Sequence, residues 1–222
     1  MSAYLLGDII FIAVWVVLYF VRPKSRNLQL FGSFLLLPFT ILDVWFRPDY
    51  WHPPLLIKAI EPLSLETAIY CFTAGGIAII FGNLFFKNNN SFKISWLKTI
   101  IFLIVAFGLY AIFHRFRFAF HPQTVSAMNN LNFSFLIIWG ALLIVNFKKE
   151  WKSILPALLF ATFTILAINF GAIFYPDFVA QYWNLPKLWP TFFNTPTEEI
   201  FFAGVLGALW AILPANLLKF EK

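Results

Sequence analysis

Three glutamates, Glu66, Glu198 and Glu199, open long apolar stretches, and two aspartates, Asp8 and Asp43, fall within or at the ends of others. An ionised carboxylate in hydrocarbon is costly, so an acid at membrane depth is a functional candidate by default. Two such acids brought together divide labour: burial holds one protonated as an acid, and the other stays ionised as a base or cation stabiliser. Upstream of the glutamates stand Tyr50 and Trp51 in one connection, and Tyr182, Trp183 and Trp189 in another. Aromatic faces attract a nearby cation. Acids beside aromatic walls in a dry cavity therefore suit carbocation chemistry on an apolar substrate. A plainer role competes for part of this set. Thr195-Pro196-Thr197-Glu198-Glu199 is also an ordinary helix start, with a capping residue, a proline in the first turn and acids next. Asp8 is divided between a hydrated interface and a pocket, and Asp43 is assigned to the pocket.

Other chemistries find no support in the residues. His52 and His121 stand alone, without metal-like spacing, so no metal site is expected. The single cysteine, Cys71, allows neither an internal disulfide nor a cysteine metal cluster. No Gly-x-Gly-x-x-Gly and no Walker-type loop occurs, which argues against nucleotide cofactors and ATP-driven transport. Span seven carries no interior lysine for a retinal Schiff base. Glu150 and Glu221 read as solvated charge, and Asp49, Glu61 and Asp177 as residues of connections.

The elements that must position these acids are membrane spans. The chain of 222 residues is 61% hydrophobic and 12% charged, with a mean hydropathy of +0.79. A soluble domain carries about a quarter charged residues, so a soluble globular enzyme is excluded. Seven stretches reach spanning length: 3–21, 29–46, 65–86, 96–113, 131–147, 153–174 and 197–218. The first reads as a retained anchor, because its first basic neighbour, Arg22, follows it. The net charge of +6 is scattered in short clusters between apolar runs, unlike a nucleic-acid groove. Arg22, Lys24, Arg26, Lys87, Lys93, Lys98, Lys148, Lys149, Lys152, Lys219 and Lys222 fall on one side. Arg47, Lys58, Arg115, Arg117 and Lys187 fall on the other. The positive-inside rule then puts the N-terminus outside and the C-terminus in the cytoplasm of an integral membrane protein.

The chain also echoes itself. Tyr50-Trp51, Pro54, Glu66 and Gly75 match Tyr182-Trp183, Pro186, Glu198 and Gly207 at one common separation. Phe39-Thr40-Ile41-Leu42 matches Phe163-Thr164-Ile165-Leu166 at a slightly different one. The expected fold is an all-α bundle of seven transmembrane helices in a 3+1+3 parallel repeat. Residues 1–90 form the first unit, 91–125 a linker span and 126–222 the second unit. Parallel repeats place a shared site at the interface between the halves. Ala74, Ala78 and Gly82, like Ala203, Gly207 and Ala211, recur every four residues and predict close helix contact.

Pro196-Thr197-Glu198-Glu199-Ile200-Phe201-Phe202 resembles the Pro-x-Glu-Glu…Phe-Phe signature of the lycopene cyclase domain family. That family is integral to the membrane and occurs as heterodimers and as fused forms. The order Asp43…Trp51…Glu66 and Asp177…Trp183…Glu198 is similar to the family's upstream pattern. The resemblance implies redox-neutral closure of a six-membered ring at the end of a linear carotenoid drawn from the bilayer, with no cofactor. It carries over Glu198, Glu199 and Glu66 as the acid–base set; Glu198 as donor and Glu66 as base or stabiliser is our own assignment within it, with Asp43 beside them. Trp51, Trp183, Tyr50, Tyr182 and Phe202 are the expected substrate-binding residues. The first half departs from the signature, with Ser64 and Thr67 where the second has Pro196 and Glu199. Two alternatives remain: a carotenoid hydratase, in which water captures the same cation, and a non-catalytic carotenoid or lipid carrier.

Overall fold

The computed structural model describes residues 3–51, 63–86, 91–120, 126–183 and 190–220. His52, Pro54, Lys58, Glu61, Lys87, His121, Pro186, Lys187, Trp189, Glu221 and Lys222 lie outside the described residues. The helices run, in order, α1 (Ala3–Val21), α2 (Arg26–Leu36), α3 (Asp43–Asp49), α4 (Leu65–Asn83) and α5 (Trp96–Phe120), and continue as α6 (Ala127–Val145), α7 (Phe147–Glu150), α8 (Ile154–Phe174), α9 (Phe178–Tyr182) and α10 (Thr197–Leu217).

Among the described residues, six helical stretches are long and apolar enough to cross a membrane: Pro23–Arg47, Leu65–Asn83, Trp96–Phe116, Ala127–Val145, Trp151–Phe174 and Thr197–Leu217. The first span of the sequence analysis appears as a shorter apolar helix, Leu5–Val21. The molecule is thus an all-α membrane bundle by length and composition. The stretch Pro23–Arg47 is not uniform. Pro38 has no N–H to give to the preceding turn, and the chain tightens into a 3₁₀ segment, Leu37–Leu42, before resuming as α3.

Two short strand pairs interrupt the all-helical picture. β1 (Phe92–Ile94) pairs antiparallel with β4 (Leu218–Phe220), tying the entry of α5 to the exit of α10. β2 (Thr191–Phe192) pairs with β3 (Thr195–Pro196) in a hairpin just before α10. Both lie at helix ends, where backbone groups must find partners outside the helical ladder.

α4 and α10 form the centre. Their most apolar windows are 67% and 72% buried, against 22% for those of α5 and α8, whose outer faces carry exposed Ile104, Leu158 and Leu166. Lipid is as apolar as leucine, so close packing and interhelical hydrogen bonds must hold such a centre together. Glycine supplies the close packing. A Cβ built on Gly75 of α4 would stand 2.8 Å from Leu36 Cβ of α2. One built on Gly207 of α10 would stand 2.9 Å from Phe160 Cβ of α8. Gly82 of α4 abuts Ala211 of α10 in the same manner. The two small-residue stripes are contact faces, as their spacing predicts.

Tryptophans supply the hydrogen bonds. Trp15 Nε1 of α1 donates to Ser33 Oγ of α2 at 2.9 Å, and Trp139 Nε1 of α6 donates to Ser153 Oγ, before α8, at 2.9 Å. Trp210 Nε1, wholly buried in α10, donates to the Gly32 carbonyl at 3.2 Å. Bonds of this kind between membrane helices are worth about 0.6 kcal/mol on average and up to about 1.7. Ring pairs cross the centre reciprocally: Phe11 packs on Phe163 at 4.9 Å, and Phe39 on Phe135 at 5.1 Å.

Candidate functional site

The site is built around the starts of α4 and α10. α4 begins on Ser64, whose hydroxyl accepts from the Thr67 N–H at 3.1 Å. Asp43 Oδ2, at the head of α3, accepts three bonds from this turn. They come from Ser64 Oγ at 2.9 Å, Thr67 Oγ1 at 3.0 Å and the Ser64 N–H at 3.1 Å. Asp43 is wholly buried and acts as a clamp between α3 and the first turn of α4. The turn supplies free N–H groups and a positive helix end, which suit a buried carboxylate.

α10 starts differently. The β2–β3 hairpin turns on Phe193 and Asn194, both with positive φ, 47° and 51°. Two such residues match the twist of a tight hairpin, and asparagine adopts this geometry readily. Asn169 of α8 fixes the turn by donating to the Phe193 carbonyl at 2.7 Å. Thr195 is therefore not the helix cap expected from the sequence. It is buried in β3, and its hydroxyl donates to the Phe193 carbonyl at 3.1 Å. The position before the helix is Pro196, which makes no side-chain cap.

A cavity lies within the bundle, bounded by α1, the α2–α3 stretch, α4, α6, α8, α9 and α10. Counted out through its mouth, the space amounts to about 1030 Å³. Its wall is predominantly apolar and aromatic, and its carboxyl groups are Asp8 and Glu199. Trp51 and Trp183 meet across it: their backbones form an isolated antiparallel bridge, and their rings lie 5.8 Å apart.

The structure brings together Glu199, Tyr50, Trp51, Trp183 and Phe202 of the expected site. Glu199 Oε1 accepts from Trp183 Nε1 at 3.1 Å. Tyr50 is 1% exposed, and burial first, then the Glu199 and Glu198 carboxyls, push its phenol well above the ordinary tyrosine range. It keeps its proton beside Glu199.

Asp43, Glu66, Glu198 and Tyr182 are absent from the described wall of the cavity. Asp43 is turned to the α4 turn by its three donors. Glu198 follows a different direction from Glu199 because neighbours on a helix differ by about 100°. It is wholly buried, its backbone carbonyl accepts from Asn132 Nδ2 of α6 at 3.1 Å, and its carboxyl oxygens have no hydrogen-bond partner among the described residues. Glu66 is buried at 4% exposure and lies within electrostatic reach of Asp8. Tyr182 packs with the small cluster of Phe178 and Val179.

Two residues gain importance from the geometry. Asp8 is 2% exposed and lines the cavity, which settles its position away from bulk solvent. Tyr70 lines the cavity and lies within electrostatic reach of Glu199 and Asp8. Its signal in the sequence is its place one helical turn beyond Glu66, on the same face of α4. Among the described residues, no three His, Cys, Asp or Glu side chains gather closely enough to hold a metal ion. Comparison with known proteins returns no matching family model, no matching curated protein and no matching solved structure.

Proposed function

We propose that the protein is a membrane-embedded carotenoid cyclase, closing a six-membered ring at the end of a linear polyene such as lycopene by proton addition and proton loss. The observation that carries this reading is the single cavity in which Asp8 and Glu199 stand among aromatic walls inside an apolar bundle. An oily substrate enters such a space from the bilayer. Carboxyls supply and remove protons, and the faces of Trp51, Trp183 and Phe202 attract the cation formed between those steps. Trp183 holds Glu199 in place through its N–H, and the Tyr50 phenol lines the same cavity.

The same proposal includes a duplicated chain, with units 1–90 and 126–222 joined by a linker span within 91–125. Several matched contacts support it. Gly75 against Leu36 has its counterpart in Gly207 against Phe160, and Trp15–Ser33 in Trp139–Ser153. The reciprocal pairs Phe11–Phe163 and Phe39–Phe135, and Trp51 on its own counterpart Trp183, are the pattern a two-fold relation produces. Thr67 and Glu199, and likewise Tyr70 and Phe202, enter the cavity from corresponding places. The distribution of basic residues supports an outer N-terminus and a cytoplasmic C-terminus.

Expression in lycopene-accumulating bacteria, followed by pigment chromatography, tests the reading. The expected product carries a ring and has the mass of lycopene. A product heavier by one water would make the protein a hydratase. Unchanged lycopene in cells containing the folded protein would contradict the proposal.

A further inference from the structure

We infer that Asp8 donates the proton that starts the cyclisation and that Glu199 takes the proton released at its end, an assignment that rests on the cyclase reading above. Both residues reach the same cavity, from α1 and α10. Their surroundings differ. Neither oxygen of Asp8 has a hydrogen-bond partner among the described residues, and the side chain is 2% exposed. A carboxyl so placed is far cheaper neutral than charged. Glu66 stands close enough for the two carboxyls to repel when both are ionised. Glu199 instead accepts the Trp183 N–H, a bond that strengthens when the acceptor is charged. One cavity thus holds a carboxyl without donors and a carboxyl with one, the arrangement that separates an acid from a base.

The proton balance closes within the site. Asp8 adds its proton to the terminal double bond of the polyene, leaving a cation on the neighbouring carbon. The electron pair of the next double bond in reach forms the new carbon–carbon bond, and the charge moves onto the ring. Glu199 removes a ring proton, and that C–H pair becomes the ring double bond. Asp8 ends ionised and Glu199 protonated, with no electrons gained or lost. Return of a proton from Glu199 to Asp8 across the cavity, which Tyr70 also lines, restores the starting state.

The test is made with membranes carrying the protein, supplied with preformed, unlabelled lycopene in deuterated water. Wild type, Asp8→Asn, Asp8→Ser and Asp8→Glu are each scored per amount of folded membrane protein. Asparagine is already accommodated at a buried helical position of this bundle, at Asn132 of α6. Wild type is expected to place one deuterium on each ring closed. Asp8→Asn and Asp8→Ser are expected to lower ring formation at least about 100-fold, the usual range for loss of a general acid. Asp8→Glu is expected to keep ring formation and the label. Ring formation within about threefold of wild type in folded Asp8→Asn or Asp8→Ser would overturn the assignment while leaving the cyclase reading intact. No ring product from wild type would overturn the cyclase reading itself.

Discussion

The first turns of α4 and α10 carry related residues put to different uses. In the first, Ser64 and Thr67 turn their hydroxyls on Asp43, an acid from the preceding span, and saturate one of its oxygens. In the second, the acid stands on the helix itself as Glu199, and the place matching Asp43 is taken by Ala167, which lines the cavity. The two acids thus differ in their surroundings: donors close around Asp43, and the cavity wall holds Glu199. A carboxyl surrounded by donors is structural; a carboxyl with one donor and an open apolar space in front is free to react.

The sharpest way to break this comparison is to move the acid. The double substitution Thr67→Glu with Glu199→Thr is expected to lower ring formation at least about 100-fold, because the Trp183 donor does not move with it. Retained activity, measured by pigment chromatography, would make the two turns interchangeable. Next in size are the paired contacts. Gly75→Ala and Gly207→Ala each force a methyl into a tight helix contact, and each is expected to cost about 1–3 kcal/mol. Thermal unfolding in detergent reads both; a loss at only one would break the matched packing. Asp43→Asn keeps the shape but weakens the clamp, at a cost of about 1–3 kcal/mol by the same measurement, with less effect on turnover than on stability. Trp183→Phe keeps the ring and removes the N–H to Glu199, and about a tenfold fall in turnover is expected, from a charge-assisted bond worth about 1.5 kcal/mol. Smallest is Gly204→Ala, where a Cβ meets open space, with an expected change within about 0.5 kcal/mol.

Much of this was legible in the sequence. Hydropathy located the membrane helices to within a few residues at most ends, because a bilayer imposes length and apolarity on each span. The exception is the Pro23–Arg47 stretch, whose apolar run conceals the change at Pro38 from α to 3₁₀. Trp51 and Trp183 are legible as candidate wall residues, since a Tyr-Trp pair precedes each leading glutamate; that their rings meet is not. Direction around the helix was not. Glu198 and Glu199 are adjacent letters, and only packing decides that Glu199 meets the cavity while Asn132 meets the backbone of Glu198. Asp8 was undecided because an acid near a span end reads the same whether it is capped by water or by protein. The spacing of Thr195 fits a cap, and only the hairpin fixed by Asn169 gives its hydroxyl another partner.

The neighbouring glutamates of α10 offer the most direct measurement. Glu198→Gln and Glu199→Gln are expressed separately in lycopene-accumulating bacteria, their folded amounts are matched, and the pigments are separated by chromatography. The account predicts ring product from Glu198→Gln within about tenfold of wild type and essentially unchanged lycopene with Glu199→Gln. Ring formation that survives Glu199→Gln and disappears with Glu198→Gln would contradict it.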